Sequence, residues 1–389
     1  MIDASIIIIA LCIIGIVYPF AIYPMLLRFL MIIKRSSLHS LEHKNLSSDE
    51  YPSVAVLIAA YNEAEYIEDA IHSIYAQEYP HIAVYIGSDG STDSTAEKVR
   101  ALQNQYDNLH FFDLSRRGKN RVNEYLVEHS SSDIIMHLDA DCRLQKSAII
   151  AMCSHYSDPE ICAVLGTAID NPLDGIEVDN HAEEQSSYRS LESRTRCMES
   201  SLASTVTSLG HCYSLRRAYR TPLPNDNVCD DYMPILNILL KKKRVIAEKN
   251  AGAIEVRKPQ PGMEFTQAQR FASCGMASVR QAWKLLLPSY GLVSLFLWSR
   301  KIMRWLLPMF LIVAIISGII GTLQGNSLST AFILICTCFV FLSLPGYFGI
   351  SIFPIRQAYI FVKVTISLIR AWMHFLGSNP SATWERPVA

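Results

Sequence analysis

Asp139-Ala140-Asp141 sets two carboxylates two residues apart, directly behind the apolar run Ile134-Ile135-Met136-His137-Leu138. Alternate residues of an extended segment project to one side, so both acids can reach one hard cation and a diphosphate bound to it. Mg2+ or Mn2+ suits that oxygen-rich setting. Taken alone, acids at this spacing more often mark a solvated loop; the preceding strand-like run is what raises the pair above that reading. Asp89-Gly90-Ser91-Thr92-Asp93 reads as a turn with helix-capping hydroxyls, yet such a turn needs only one acid. Asp89 follows a second apolar run and could accept the imide hydrogen of a uracil-like base, with Tyr61 and Glu63 flanking the base or ribose. Asn62-Glu63 also fits an ordinary helix start.

Three further groups carry chemistry. Gly118-Lys119 opens a helical stretch behind Arg116 and Arg117, a setting for a diphosphate or sugar contact. Cys229-Asp230-Asp231 precedes the apolar stretch Tyr232 to Leu240, which ends in Lys241-Lys242-Lys243-Arg244. Adjacent acids at a helix start are often caps, but transfer to a hydroxyl needs a base, and one carboxylate beside another has its pKa raised toward that task. Gln267, Arg270 and Phe271 share one helical face, a mix that suits sugar recognition and equally a surface helix with a half-buried ring.

These residues need elements to position them. Val54 to Ala60, Ile82 to Ile86, His110 to Phe112 and Ile134 to Leu138 read as buried strands. Between them, Ile67, Ala70, Ile71 and Ile74, then Val99, Leu102 and Tyr106, then Val122, Tyr125 and Leu126, recur at helical spacing. The alternation predicts an α/β fold with a mainly parallel sheet covered by helices on both faces. Ligands of such sheets bind at the carboxyl ends of the strands, where the acids above fall.

The two ends of the chain are different. Of 389 residues, 50% are hydrophobic, and the excess is concentrated terminally. Ala4 to Leu27 holds no charge and is followed by Arg28, Lys34 and Arg35, which predicts an uncleaved anchor with its start outside and residue 34 onward in the cytoplasm. Trp305 to Ile355 is also free of charge, and Gly321 to Ser327 divides it into two spans. Leu285 to Arg304 suits a helix in the headgroup plane. Tyr359 to Met373, interrupted by Lys363 and Arg370, reads equally as a third span or an interfacial helix. The resulting division is an anchor (1–33), a cytoplasmic domain (34–284), an interfacial helix (285–304), a membrane region (305–376) and a tail (377–389).

A net charge of −1 gives no field to recruit nucleic acid. The ten cysteines include no C-x-x-C pair, so reduced buried thiols are expected. Walker and G-x-G-x-x-G motifs are absent, which disfavours ATP hydrolysis and dinucleotide redox chemistry.

In order and spacing, these elements resemble the family 2 glycosyltransferases, in particular the membrane-embedded branch that includes cellulose, chitin, hyaluronan and poly-N-acetylglucosamine synthases. The similarity runs from about Ser53 to Gly275, with the hydrophobic ends and Trp384-Glu385-Arg386. It implies a GT-A fold, a nucleotide-diphospho-sugar donor, a divalent metal and an inverting displacement. By this likeness Ala59, Tyr61, Glu63, Asp89, Lys119 and Asp139 hold the nucleotide-sugar, Asp139 and Asp141 bind the metal, and Asp231 is the catalytic base. Asp230, Gln267, Arg270 and Phe271 serve the acceptor and diphosphate; Gly210 and Arg216-Arg217 fall in a mobile acceptor segment. Asp230 stands where the family usually has Glu, and Phe271 where processive members have a Trp that stacks on the acceptor. A smaller ring offers less area. A single-sugar transferase acting on a lipid-linked or surface glycan therefore stands beside a polymerase. The implied partners are the donor, a glycan or lipid-linked acceptor, the bilayer of the inner or plasma membrane and other polysaccharide-assembly proteins. A catalytically silent nucleotide-sugar-binding scaffold is the rival from another class, and a transporter is disfavoured by spans without charge.

Overall fold

The structure, a computed structural model, describes residues 3–34, 50–169, 180–223, 228–257, 263–350 and 352–377. Trp384-Glu385-Arg386 and all of the tail but its first residue lie outside the described residues. The chain divides into two compact units: one draws on residues 1–28, 259–276 and 295–380, the other on 29–258 and 277–294.

The second unit is built on eight strands: β1 (Val54–Ala60), β2 (Ile82–Asp89), β3 (Leu109–Leu114), β4 (Ile134–Leu138), β5 (Cys142–Leu144), β6 (Ile161–Ile169), β7 (Cys212–Arg216) and β8 (Arg244–Glu255). They form one sheet in the order β3-β2-β1-β4-β7-β6-β8-β5. The four strands expected from sequence pair in parallel; β7 is antiparallel to both β4 and β6, and β5 is antiparallel to β8. Since β6 and β8 pair in parallel, only β5 and β7 run against the common direction, and the carboxyl ends of the other strands share one edge.

The core follows from the sequence pattern. Every residue of β4 is buried, and β1 is buried at all positions but Ala59. Helix Ile67–Tyr75 turns Ile67, Ala70, Ile71 and Ile74 onto the sheet. Burying one such isoleucine contributes about 1.5–3 kcal/mol. β2 runs three residues beyond the apolar run that announced it, so Asp89 is its last residue rather than part of a loop.

The first unit holds the apolar helices. Ala4–Val17 and Tyr23–Ile33 are joined by a π-helical turn, Tyr18–Ile22, that contains Pro19. Leu307–Leu323 and Ser327–Tyr347 form the expected hairpin, and Asn326 caps the second helix by accepting from the Leu328 and Ser329 amides. Among the described residues, three helices are long and apolar enough to cross a membrane (Ala4–Ile33, Ser327–Tyr347 and Ile355–Gly377), and Leu292–Trp305 with Leu307–Leu323 would add a fourth as a span bent by 58°. The stretch expected as one interfacial helix from Leu285 is broken: short 3-10 turns flank Leu287, with Pro288 opening the second, and α-helix resumes only at Leu292. Arg300, expected at a headgroup surface, is fully buried. Tyr359 packs on Gly346, and the Trp372 Nε1 donates to the Trp305 carbonyl at 2.8 Å.

Candidate active site

At the end of β2, Asp89 is 2% exposed. Its oxygens accept from the Arg116 guanidinium at 2.5 Å, the Arg117 amide at 2.6 Å and the Gly118 amide at 3.1 Å. The acid thereby folds the segment 116–118 against the strand. Gly90 makes the approach feasible: its φ is +69°, and a Cβ there would lie 2.9 Å from the Arg116 nitrogen. The Arg116 guanidinium rests 3.6 Å from the centre of the Tyr61 ring, a cation–π stack that leaves Tyr61 half-buried. Asn62, at φ +54°, is not a helix start; its side-chain oxygen accepts from the Thr92 amide at 2.8 Å, and its own amide donates to Ser91 Oγ. Asp93 accepts from the Thr95 and Ala64 amides, so the loops after β1 and β2 are tied together.

Gly118, at φ +92°, delivers Lys119 as the first residue of helix Lys119–Glu128. Its ammonium lies 2.6 Å from Asp139 Oδ1 and 3.7 Å from Asp230 Oδ2. Desolvation would lower the Lys119 pKa, but Asp139 and Asp230, with a smaller part from Asp231, outweigh it and push it up. Asp139 is raised above the usual carboxylate range by burial, with Asp141 and Asp230 adding to it and Lys119 opposing. The Asp139 amide donates to the His211 carbonyl, which places the turn Gly210-His211 beside the acids. A Cβ on Gly210 would meet Asp231 Oδ2 at 3.0 Å. Asp231 precedes helix Tyr232–Leu240, yet its side chain makes no capping bond to that helix.

Asp141 and Glu63 are joined through Arg257. The Arg257 Nε donates to Asp141 Oδ2 at 2.7 Å, its terminal nitrogen binds Glu63, and its guanidinium lies 4.9 Å from the Tyr66 ring centre. Pairing of Cys142 with Glu255 and a bond from the Val256 amide to the Asp141 carbonyl fix Arg257 at that place. The sequence reading missed Arg257, since β8 carries Glu248-Lys249-Asn250 in its middle and does not announce itself as a strand. His137 and Tyr213 were missed as a pair as well: their rings stack at 4.7 Å, and the Tyr213 hydroxyl donates to the Asp230 carbonyl.

Of the residues singled out in the sequence, Tyr61, Glu63, Asp89, Lys119, Asp139, Asp141, Asp230 and Asp231 are linked by these contacts along one sheet edge. Ala59 lies within β1, paired with Gly87. Gln267, Arg270 and Phe271 belong to the other unit, on helix Met263–Gln281; all three are exposed, with the Arg270 guanidinium 5.2 Å from the Phe271 ring centre. Arg216 and Arg217 differ from the acceptor-segment expectation. Arg216 donates to the carbonyls of Tyr156, Asp158 and Ile161, and Arg217 to those of Val127 and Ser132 and to Ser130 Oγ. Both bind backbone around the end of β7 and so act as staples.

The eight-stranded, mostly parallel sheet with its strand carboxyl ends on one edge is a GT-A-like fold. Residues 55–219 match the model of glycosyl transferase family 2, and the domain they form belongs to that family. Poly-beta-1,6-N-acetyl-D-glucosamine synthase of Staphylococcus aureus is 34% identical over 131 residues, which cover 33% of this chain and 32% of the relative. The same enzyme of Staphylococcus epidermidis is 34% identical over 135 residues, 34% of this chain and 31% of the relative. The matched stretch thus spans about a third of the length of these relatives. Among solved structures, the mannosyltransferase PcManGT from Pyrobaculum calidifontis, in complex with GDP-Man and Mn2+, superposes with a TM-score of 0.68 over 95% of this chain and 99% of that one. At 19% identity the likeness is one of fold.

Proposed function

We propose that this chain is a membrane-bound, inverting glycosyltransferase that moves a sugar from a nucleotide-diphospho-sugar, a UDP-sugar in this reading, to a growing polysaccharide or lipid-linked glycan of the cell surface. The observation that carries the proposal is Asp231, a carboxylate that leaves its own helix uncapped and stands against Gly210 in the field of Lys119. Asp231 accepts the proton of an acceptor hydroxyl while that oxygen attacks the anomeric carbon. The bond to the diphosphate breaks on the opposite face, so the centre inverts. Asp230 and Asp139 on either side of Lys119 keep the lysine charged and turned toward the place where the departing diphosphate gathers charge.

The acids also fit a divalent cation, within limits. Asp139 and Asp141 supply hard oxygens, but no group of three His, Cys, Asp or Glu side chains converges as a metal site among the described residues. Mg2+ or Mn2+ therefore fits only with phosphate oxygens of the donor and water completing its shell. When bound it supplies Lewis-acid neutralisation of the leaving diphosphate.

The N-terminal apolar helix and the Leu307–Tyr347 hairpin would sit in the plasma or inner membrane with the sheet unit in the cytoplasm, as the basic residues after Leu27 favour. The name of the Staphylococcus relatives makes an N-acetylhexosamine the first donor to try. Membranes containing the chain, incubated with a panel of nucleotide-sugars and Mn2+, are expected to release nucleoside diphosphate with one donor and give a product whose mass reports the acceptor. Asp231→Asn should keep donor affinity and lower turnover by roughly 10²–10⁴-fold. Retained turnover would remove Asp231 from the base role.

A further inference from the structure

Glu63 follows β1, Asp141 follows β4, and a single guanidinium, Arg257, bridges the two. Glu63 is 6% exposed and Asp141's side chain 17%, so neither acid is well solvated. Two carboxylates brought this close with little water repel, and an opposite charge between them offsets the repulsion. Arg257 is placed there by the backbone, through the β5–β8 ladder and the Val256 amide, and its planar fork addresses both acids at once. The same fork also suits phosphate oxygens, which bind arginine in two-pronged fashion.

We propose that Arg257 is the resident counter-ion of the donor site, and that it makes divalent-metal binding conditional on a nucleoside diphosphate. This inference rests on the donor-site reading above. A cation approaching Asp141 alone must displace the guanidinium from that acid, which costs Arg257 one of its two carboxylate contacts and sets a second cation beside it. When a nucleoside diphosphate arrives with the metal, its phosphates take over the guanidinium while the metal takes over the carboxylate. Each ligand then removes the cost of binding the other, which is positive coupling between them.

The test uses the full-length chain in detergent, with Mn2+ binding followed by the loss of its electron paramagnetic resonance signal, alone and with saturating UDP or GDP. Wild type is expected to bind Mn2+ weakly alone and at least about tenfold more tightly with the diphosphate. In Arg257→Gln, Mn2+ alone should bind about tenfold more tightly than in wild type while the diphosphate binds more weakly, so the gap closes. Arg257→Lys keeps a charge without the fork and should fall between. A purely structural bridge would lower the melting temperature of Arg257→Gln and leave the gap as in wild type; that result overturns the proposal, as does equal Mn2+ affinity with and without diphosphate in wild type. Wild type that binds no nucleoside diphosphate at all would overturn the glycosyltransferase reading too.

Discussion

Asp89 and Asp141 stand at the same edge of the sheet and are both partnered by arginine, yet the two arrangements are of different kinds. Asp89 takes its bonds from Arg116 and from the backbone amides of Arg117 and Gly118. Asp141 takes its side-chain bond from Arg257, and Asp139 takes one from Lys119. Backbone donors cannot leave without unfolding the loop, whereas the tip of a long side chain can swing aside. The β2 end is thus a fixed floor, and the β4 end a set of charges held by exchangeable cations. The proposed transfer would use both: a rigid seat for the nucleotide part of the donor and a place where charge can be redistributed as the diphosphate departs.

The largest effect that would test this contrast comes from the fixed side. Asp89→Ala leaves a guanidinium and two amides without their acceptor, and a lost charged bond at a buried site costs about 1.5–3 kcal/mol. We expect the melting temperature to fall and nucleotide affinity to drop with it, because the 116–118 segment carries both the Tyr61 stack and Lys119. If nucleotide affinity falls while thermal stability stays put, Asp89 touches the ligand directly, and the β2 end is not a fixed floor. Gly90→Ala probes the same loop more gently. A methyl group at φ +69° facing the Arg116 backbone at 2.9 Å should cost about 1–3 kcal/mol, read as a lower melting temperature with nucleotide affinity following it.

How much of this was legible beforehand depended on the kind of residue. Continuous apolar runs marked β1 and β4 to the residue and the start of β2, because strands covered on both faces have no polar alternation to hide in. The acids after them were found for the same reason, as polar residues abruptly following apolar ones. β8 escaped because Glu248, Lys249 and Asn250 interrupt it; Glu248 is buried there, 2.6 Å from His155, a pairing that only tertiary contact reveals. With β8 unseen, nothing in the sequence could bring Arg257 to Asp141 across a separation of 116 residues. The reversed direction of β7 was equally hidden, since strand direction is set by pairing partners and not by composition. It matters, because the reversal carries Gly210 and His211 to the edge where Asp231 stands. Arg216 and Arg217 drew a functional reading from the family likeness, as part of a mobile acceptor segment, but carbonyls at the end of a sheet are acceptors in need of donors, and two long guanidinium groups satisfy several at once.

The smallest effect at neutral pH is expected at His137, which sits between the fixed core and the charged rim. Burial lowers its pKa to about 3; Asp230 pulls the other way, while Arg220 and Lys119 add to the lowering. In the folded chain the ring therefore stays neutral, stacked on Tyr213, whereas in the unfolded chain it titrates at about 6.5. A folded-state pKa below the unfolded one means the stabilisation is complete above pH 6.5 and is lost as the pH falls toward 3. His137→Phe retains a ring for the stack and removes the titration. Between pH 6.5 and 5 wild type should lose about 1.6 kcal/mol that the variant keeps, seen as melting temperatures that converge or cross on acidification. Parallel pH profiles for the two proteins would mean that the ring gains a proton without leaving its place, and the rim's exchangeable charge would then reach one layer deeper into the sheet than the stacking of His137 on Tyr213 implies.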